Sequence, residues 1–252
     1  MTAIAQWPRL LAHILKRDRI SLPVWILAVV SFCAGFVPAM PAIIGTNAEM
    51  AVMGEMMANP AMIAMCGIFP NVPFTIAIFY TQMMLVWSAL LVAAMNILIV
   101  IRHTRADEDE GRSEVIRALP VGRGANLMAV IVLMIAVNVI MAILIGVSMP
   151  AFGIESVDLA GSLVYGAALG ACGLFFAGLT VVVAQVMDNA RSVTGLALGL
   201  MGGFYLLRAY GDVSSETAAW LSPFGAIQRT YPYSANDWWP AVGLAGLGVI
   251  LM

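Results

Sequence analysis

The sequence predicts an all-α protein that crosses a membrane several times, and two observations support this prediction. Of its 252 residues, 62% are hydrophobic and only 10% are charged, whereas soluble domains carry about 25% charged residues. The mean hydropathy is +0.95, and the apolar residues are gathered in long blocks. Roughly 20 consecutive apolar residues cross a bilayer as a helix, because every backbone group must be hydrogen-bonded within its own segment.

The first element, over residues 1–20, is predicted to be an amphipathic helix. Apolar residues recur there at helical spacing, and basic residues occupy the other side of the helix. The apolar side has Trp7, Leu10, Leu11, Ile14 and Leu15, and the basic side has Arg9, His13, Lys16 and Arg17. A helix of this kind lies in the membrane interface. An ordinary basic flank of the first span is compatible with the same residues.

Residues 21–252 are predicted to form one transmembrane domain. Five apolar blocks within it are long enough to span a bilayer, and they cover residues 22–44, 75–101, 126–149, 160–187 and 192–210. A sixth block, 240–252, has only 13 residues and is too short to cross. We therefore expect the chain to end inside a helix.

The distribution of lysine and arginine predicts the orientation of these spans. Four of the 12 basic residues fall in the N-terminal arm, five in the loop after the second span and one in the loop after the fourth. The remaining two, Arg208 and Arg229, fall on the opposite side. Because cytoplasmic loops carry the excess of positive charge, we expect a cytoplasmic N terminus and a cytoplasmic loop after the second span.

The predicted external loop between the first two spans is rich in methionine. Its methionines include Met50, Met53, Met56, Met57, Met62 and Met65. Thioethers suit copper(I), but no His or Cys is interleaved at ligand spacing. A flexible methionine face that packs on the other helices is the favoured interpretation.

Polar residues inside the spans are few, and they have two interpretations. Gln82, Asn96 and Asn138 could line a path for a substrate. Hydrogen bonding between neighbouring helices is the favoured role for any one of them, because buried amides often join membrane helices in this way.

The residue inventory argues against several kinds of active site. Lys16 is the only lysine, so the chain lacks the GK[ST] element of a P-loop. Both histidines, His13 and His103, are predicted to be cytoplasmic, which argues against an intramembrane catalytic or metal site. The cysteines show no CxxC spacing and are expected to be free thiols. We expect no enzyme activity, no catalytic residue and no bound metal in this chain.

Charge is concentrated in one short segment. Nine of the 26 charged residues fall between positions 102 and 117. The pattern over 104–119 predicts a short helix with acidic residues in its early turns, where the helix dipole favours them, and Pro120 would end it. Such a helix could dock in a groove of a soluble partner. A solvated loop that only connects two spans is equally compatible.

Two stretches carry a resemblance to a known family. RHTRADEDEGRSEVIRALPVGR, residues 102–123, resembles the cytoplasmic coupling segment of ATP-binding-cassette (ABC) type-2 permeases, especially polyketide-antibiotic exporters of the tetronasin-resistance type. Its matching positions are Arg105, Glu108, Asp109 or Glu110, Gly111, Arg112, Glu114, Val115, Ile116, Gly122 and Arg123. WLSPFGAIQRTYPYSANDWWP, residues 220–240, resembles the external segment before the last span of these exporters. Its matching positions are Trp220, Ser222, Pro223, Gly225, Tyr231, Pro232, Tyr233, Trp238 and Trp239.

The resemblance implies a fold. The chain would be a six-span type-2 ABC permease half with an N-terminal interfacial helix, a cytoplasmic coupling segment at 102–123 and external re-entrant helices within 211–239. These exporters usually carry two six-span halves in one polypeptide, and this chain corresponds to the first. The second half would come from further sequence, from another chain or from a second copy of this one.

The resemblance also implies a function and a set of partners. The protein would export amphiphilic, antibiotic- or drug-like compounds from a bacterial cell across its inner membrane. ATP and magnesium would bind to a separate ABC ATPase, expected in two copies, and not to this chain. Membrane lipids are expected partners, and nucleic acid is not.

By the same resemblance, three groups of residues carry this function. The ATPase-coupling residues would be Arg105, Glu108, Glu110, Gly111, Arg112, Glu114, Val115 and Ile116. The substrate path would include Gln82, Asn96, Asn138 and Arg208. The external gate would include Trp220, Pro223, Tyr231, Tyr233, Trp238 and Trp239.

Two other functions are compatible with the sequence. A permease of the same kind could carry lipid or glycan precursors, because a path lined by apolar side chains and a few amides suits any amphiphile. A membrane scaffold or immunity protein could instead use the charged segment to recruit a cytoplasmic partner without an ATP cycle.

Overall fold

The computed structural model describes residues 5–44, 47–68, 70, 72–111, 122 and 124–252. The regular structure of these residues is helical, without strands, which confirms the all-α prediction for this part of the chain. The helices are α1 Trp7–Arg17, α2 Ser21–Gly35, α3 Met40–Ile43, α4 Asn47–Met57, α5 Pro60–Cys66, α6 Ile76–His103, α7 Arg105–Asp109, α8 Ala125–Ser148, α9 Leu159–Val186, α10 Ala190–Ser214, α11 Glu216–Trp220, α12 Pro223–Gln228 and α13 Trp239–Leu251.

Within the described ranges, five segments are long and apolar enough to cross a membrane. They are Ser21–Ile43, Ile76–Asp109, Ala125–Phe152, Leu159–Val186 and Ala190–Ser214. The first combines α2, a short 3-10 turn and α3. α13 has 13 residues, fewer than a bilayer crossing requires. The predicted polytopic character is therefore supported by five candidate spans, where the family resemblance implied six.

The spans alternate in direction, so the bundle has two ends. At one end, which we call the α1 end, α1 and α7 lie near the C terminus of α6 and the start of α10. At the other end, which we call the α12 end, α5, α11 and α12 lie near the C terminus of α10. The starts of α6 and α9 also lie at the α12 end, where the Ala77 amide donates to Ser156 Oγ at 3.2 Å.

The core lies around α9, which packs against α6, α8 and α13. Of the apolar stretch of α9, 83% is buried, compared with 11% for α10. Small residues permit this packing: a Cβ on Gly166 would lie 2.2 Å from the carbonyl oxygen of Ala142. Glycine therefore lets α8 and α9 approach at backbone distance.

Side chains that accept hydrogen bonds begin several of these helices. Thr75 Oγ1 accepts from the Ile78 amide at 3.3 Å at the start of α6. Asp158 Oδ1 accepts from Gly161 at 2.9 Å at the start of α9. Short polar side chains satisfy amides that the first turn of a helix leaves unpaired. Residues next to the first turn therefore determine where α6 and α9 begin.

The charged segment begins as α7, but the helix ends at Asp109. The following Gly111 has a φ of 73°, and its amide donates to the carbonyl of Glu108 at 3.0 Å. A left-handed glycine just past the last turn commonly terminates a helix. The prediction of one continuous helix over 104–119 is therefore wrong at this glycine. Residues 112–121 lie outside the described part of the chain.

Candidate functional site

A cluster of polar and charged side chains joins α1 to the end of α6. Arg17 Nη1 donates to both carboxylate oxygens of Asp107 at 3.0 Å. His103 Nε2 lies 2.7 Å from Asp18 Oδ2, and Arg102 Nη2 lies 2.9 Å from Asp18 Oδ1. His103 and Asp18 are almost fully buried. We call these five residues the α1-end cluster, and they connect the amphipathic helix to the start of the charged segment.

The contacts of His103 identify which ring nitrogen carries the proton. Arg17 Nη2 lies 2.5 Å from His103 Nδ1. A guanidinium can only donate, so Nδ1 is the acceptor in this contact. We therefore assign the proton to Nε2, which then donates to Asp18 Oδ2. In this arrangement a neutral imidazole separates the guanidinium of Arg17 from the carboxylate of Asp18.

α7 also contacts the turn between α9 and α10. Arg105 Nε donates to the carbonyl of Ala184, near the end of α9, at 2.6 Å. Asp109 Oδ2 accepts from the amide of Ala190, the first residue of α10, at 2.8 Å. A carboxylate at a helix N terminus satisfies an unpaired amide and interacts favourably with the dipole. The described part of the charged segment is thus connected to α1, α6, α9 and α10.

Only some of the predicted coupling residues fall within the described part of the chain. Arg105 is partly buried, and its Nη1 donates to the exposed Glu108 at 2.8 Å. Glu110 is exposed at the end of α7, beside the partly buried Gly111. The predicted coupling residues Arg112, Glu114, Val115 and Ile116 lie outside the described residues.

At the α12 end, Arg208 binds the last turn of α5. Its side chain is fully buried. Its Nη1 and Nη2 donate to the carbonyls of Ile63 and Met65 at 3.4 and 3.2 Å. Carbonyls in the last turn of a helix lack intrahelical partners, and a cation is favourable there. Arg208 therefore satisfies the C terminus of α5.

One buried carboxylate neutralises part of the charge at this end. Asp212 accepts from Arg208 Nη1 at 3.4 Å and from Arg229 Nη1 at 3.5 Å. The guanidinium of Arg208 also lies 4.8 Å from the ring centre of Tyr205, and that of Arg229 lies 5.4 Å from the ring centre of Trp220. A buried charge is costly to leave unpaired. Asp212 thus connects α10 to the loop after α12.

Two glutamines hold the loop that follows α5. Gln82 Nε2 donates to the carbonyl of Gly67, and Gln228 Nε2 donates to the carbonyl of Cys66 at 3.0 Å. Gly67 has a φ of 113°, and a Cβ there would lie 1.5 Å from Gln228 Nε2. Only glycine fits this close approach. The substrate-path candidates Gln82 and Arg208 therefore meet consecutive parts of one short segment, residues 63–67.

The other two substrate-path candidates form a separate pair in the middle of the bundle. Asn96 Nδ2 donates to Asn138 Oδ1 at 3.1 Å, and Asn138 Nδ2 donates to Asn96 Oδ1 at 2.6 Å. Each amide also donates to a carbonyl in the previous turn of its own helix. Both side chains are fully buried. Such reciprocal bonding fits the interhelical role that the sequence favoured.

The predicted gate residues differ in how exposed they are. Trp220, Trp238 and Trp239 are exposed, with Trp239 the most exposed at 78%. Pro223 is buried at the start of α12, and Tyr233 is partly buried, with its hydroxyl 2.9 Å from Ser162 Oγ. Burial raises the pKa of the Tyr233 phenol, which therefore stays protonated. Tyr231 lies between these groups with a φ of 43°, an uncommon conformation for a residue other than glycine.

Four of the six methionines in α4 and α5 pack against the core, whereas Met56 and Met65 are exposed. Met57 is buried, and Met50, Met53 and Met62 pack against the core. Burial raises the pKa of the neighbouring Cys66 thiol, against a smaller opposing effect of Arg208. Among the described residues, no group of three or more His, Cys, Asp or Glu side chains could hold a metal ion. The contacts of these four methionines agree with the packing interpretation.

Several residues of these polar groups were not identified from the sequence. Asp18, His103, Asp212, Gln228 and Arg229 join elements that are distant in the chain. One pair could have been found from a local signal. Arg208 and Asp212 are four residues apart at the end of a predicted span, and this spacing places both charges on one face of a helix. The other residues looked like ordinary loop residues or flanks.

Comparisons with known proteins identify one family. Residues 9–252 match the model of a protein family, which is described as "multidrug efflux system permease Rv1217c, C-terminal domain". The chain is 34% identical over 235 residues to the multidrug efflux system permease protein Rv1217c of Mycobacterium tuberculosis (strain ATCC 25618 / H37Rv). The alignment covers 91% of this chain and 41% of that protein, so the chain spans about two fifths of the relative's length. The description "C-terminal domain" does not support our prediction that the chain is a first half.

Proposed function

The chain belongs to the family of the multidrug efflux system permease Rv1217c, and we propose that it is one half of the membrane-spanning permease of an ATP-driven exporter. The proposed cargo is an amphiphilic, drug- or antibiotic-like compound. The membership supports a permease of an efflux system. The ABC mechanism and the tetronasin-type cargo are supported by the resemblance of residues 102–123 and 220–240.

The set of contacts made by α7 is the observation that carries the ABC mechanism. α7 is connected to α1 through Asp107 and Arg17, to α9 through Arg105, and to α10 through Asp109. A segment held by several helices transmits a displacement to all of them, because packed helices move as units. In this proposal an ATPase contacts Glu108, Glu110 and residues 111–116, and its closure moves α6 and α10.

The partner ATPase supplies the chemistry in this proposal. It binds ATP and Mg²⁺, in two copies, while the permease half binds neither. The N terminus, α7 and the ATPase lie on the cytoplasmic side of a bacterial cell membrane. The support for this orientation is the charge distribution, with ten of 12 basic residues in the loops assigned to that side.

A second permease half is proposed to cover α10. This helix is only 11% buried over its apolar stretch. A Cβ placed on Gly195, Gly199, Gly202 or Gly203 would meet no described atom within 4 Å. Small residues on a membrane helix let another helix approach closely. The chain also spans only 41% of its relative. The remaining length of that relative is sufficient to contain another half.

The proposed cargo path follows α6 and α10 at the α12 end. Gln82 and Arg208 meet residues 63–67 there, and the exposed tryptophans 220, 238 and 239 occupy the rim. Aromatic side chains of this kind favour membrane interfaces. Asn96 and Asn138 bond to each other, so in this proposal they join helices near the path, and cargo does not contact them directly.

The proposal can be tested by ATP hydrolysis in lipid nanodiscs, with a candidate ABC ATPase assayed in the presence and absence of this chain. We expect stable association and a changed hydrolysis rate, both abolished by Glu114→Arg. The matched control is Glu155→Arg, which reverses the charge of an exposed residue at the α12 end. Association without any change in hydrolysis would favour a scaffold. Equal effects of the two substitutions would contradict the assignment of the coupling segment.

A further inference from the structure

The amphipathic helix α1 exposes a row of basic side chains. Its Ile14 is buried, and the helix packs against α8. Arg9, His13 and Lys16 are spaced by four and three residues, so they share one side of the helix, and all three are exposed. Arg19, which lies just beyond the end of the helix, is also exposed. We call these four residues the basic stripe.

The basic stripe has no acidic partner within the described part of the chain. No hydrogen bond or ion pair joins its side chains to another described residue. Asp18 is the one acidic residue in positions 1–20. It is only 1% exposed and lies against His103 and Arg102. The exposed charge on residues 5–20 is therefore positive, and it suits a negatively charged partner.

Exposed apolar side chains adjoin the basic stripe. Pro8, Ala12 and Leu15 are exposed, with Leu15 at 47%. Ile20 and Val24 continue this apolar surface to the start of α2, where they are 69% and 58% exposed. A helix that presents basic and apolar side chains together is typical of a membrane surface. A soluble acidic partner would account for the cations, but it would not account for the apolar residues beside them.

The basic stripe also lies next to the first candidate span. That span begins at Ser21, a few positions after Lys16 and Arg19. Because an extended chain covers at most about 3.6 Å per residue, Lys16 lies within about 18 Å of the first residue of the span. Headgroups lie directly outside the hydrocarbon layer, and the long side chains of lysine and arginine extend towards them. The stripe is therefore close to the headgroups of one leaflet.

We propose that the basic stripe binds the phosphate groups of anionic lipids in the leaflet at the α1 end, with the exposed apolar residues of α1 against the edge of the hydrocarbon layer. Lysine and arginine donate charge-assisted hydrogen bonds to phosphate oxygens. Phosphatidylcholine also has a phosphate, but its choline cation offsets that charge. The stripe therefore prefers a lipid with a net negative charge. This assignment requires only that the chain lies in a membrane, and it does not depend on an ATPase or a cargo.

The test measures which lipid lies beside α1. A bimane fluorophore is attached to Ala12→Cys, and the natural cysteines stay unlabelled because they are buried. The full chain is placed in phosphatidylcholine membranes. Phosphatidylglycerol with a nitroxide on its acyl chain is the quenching probe, and phosphatidylcholine with the same nitroxide is the matched control. We expect phosphatidylglycerol to reach half-maximal quenching at an at least about fivefold lower mole fraction, the contribution of one basic side chain near anionic lipid. Equal quenching by the two lipids would overturn the proposal.

Substitutions test whether the stripe causes this preference. Lys16→Gln should lower the ratio of the two mole fractions about two- to fivefold, and Lys16→Arg should retain it because the charge is kept. The control is Arg191→Gln, which removes an exposed cation near the start of α10 and should leave the ratio unchanged. The melting temperature should be the same in all variants, because the substituted side chains are exposed. An unchanged ratio in Lys16→Gln, or an equal loss in the control, would overturn the proposal.

Two further measurements separate lipid binding from other causes. A rise in ionic strength from about 0.1 to about 1 M shortens the screening length from about 10 to about 3 Å, so the ratio should fall towards one. A ratio that is independent of salt would overturn the proposal. If the two lipids quench equally and Lys16→Gln instead weakens association with a candidate ABC ATPase, the stripe is a protein contact and the lipid assignment is wrong. The quenching needs no ATPase, so the proposed function is tested separately.

Discussion

At the scale of single residues, Asn96 and Asn138 show how an apolar bundle accommodates amides. Each amide nitrogen donates to its neighbour's oxygen and to a carbonyl of its own helix. A third helix leaves room for them, because Gly173 in α9 has no side chain. A Cβ at that position would lie 2.0 Å from Asn138 Oδ1 and 2.6 Å from Asn96 Nδ2.

This geometry predicts the effect of Gly173→Ala. The added methyl group must displace the amide pair or separate α9 from its neighbours, so we expect a loss of about 1–3 kcal/mol in the free energy of unfolding, as overpacked cores show. Unfolding in mixed detergent micelles measures this loss. The control is Gly199→Ala in α10, where a Cβ meets no described atom within 4 Å. Equal losses for the two variants would contradict the assigned role of Gly173.

At the α12 end, single charged side chains also contribute to the stability of the bundle. Arg208, Asp212 and Arg229 are all nearly or fully buried. Removal of Asp212 would leave two buried guanidinium groups without their shared carboxylate, which commonly costs about 3–5 kcal/mol. Removal of Arg208 would leave the carbonyls of Ile63 and Met65 without this donor. Arg208 therefore contributes to the structure whatever part it has in cargo transport.

At the scale of elements, the α1-end cluster determines where α7 lies. α7 has five residues, and a helix of this length is not stable by itself, because nucleation of a helix is unfavourable. Its position depends on Arg17 from α1, and on its contacts with Ala184 and Ala190. The amphipathic helix α1 thus holds the charged segment and also packs against α8.

The element-scale prediction concerns Arg17→Met. Because this change removes the two charge-assisted hydrogen bonds to Asp107, we expect the amides of residues 105–111 to exchange hydrogen about 10- to 100-fold faster. Hydrogen–deuterium exchange with mass spectrometry measures the rate. The control is Arg19→Met, which removes an exposed cation near the end of α1. Unchanged exchange in Arg17→Met, or the same change in the control, would contradict the connection.

α5 depends on other elements in a similar way. It has seven residues, and its last carbonyls are satisfied by Arg208 from α10 and Gln228 from α12, together with the hydroxyl of Tyr205. A short helix of this kind acquires its stability from tertiary contacts. The position of α5 therefore depends on α10 and α12.

At the scale of the whole molecule, one side of the bundle differs from the rest. α9 is enclosed by its neighbours, whereas α10 is largely uncovered. The uncovered side carries glycines, which in membranes favour helix contact more than lipid contact. This asymmetry agrees with a chain that spans 41% of its relative and with a second half at this surface.

The corresponding prediction concerns Gly199→Trp. The large side chain should obstruct the approach of the second half, and we expect association with that half to weaken at least about tenfold, or about 1.4 kcal/mol. The second half is supplied as a second copy or as the remaining part of a longer permease, and association is measured by energy transfer in liposomes. The chain's own melting temperature should not change. The control is Gly243→Trp in α13, where a Cβ also meets no described atom within 4 Å. If both variants associate normally, α10 is not the interface.

Local patterns predicted part of the candidate site. The clustering of charge at 102–117 pointed to α7, and the few amides within apolar blocks pointed to Gln82, Asn96 and Asn138. These signals are readable because charge and amides are rare in such a chain. Sequence patterns did not show which groups would pair, and they missed the end of α7 at Asp109, just before Gly111.

Local sequence patterns are enough to predict a helical, polytopic chain, because the length and hydropathy of an apolar block decide whether it can cross a bilayer. Short capping residues such as Thr75 and Asp158 also placed helix starts locally. The folded arrangement of the helices sets the pairing of Arg17 with Asp107 and of Gln228 with Cys66, which are 90 and 162 positions apart. Contacts at such separations depend on how the helices pack, and no local periodicity encodes that packing.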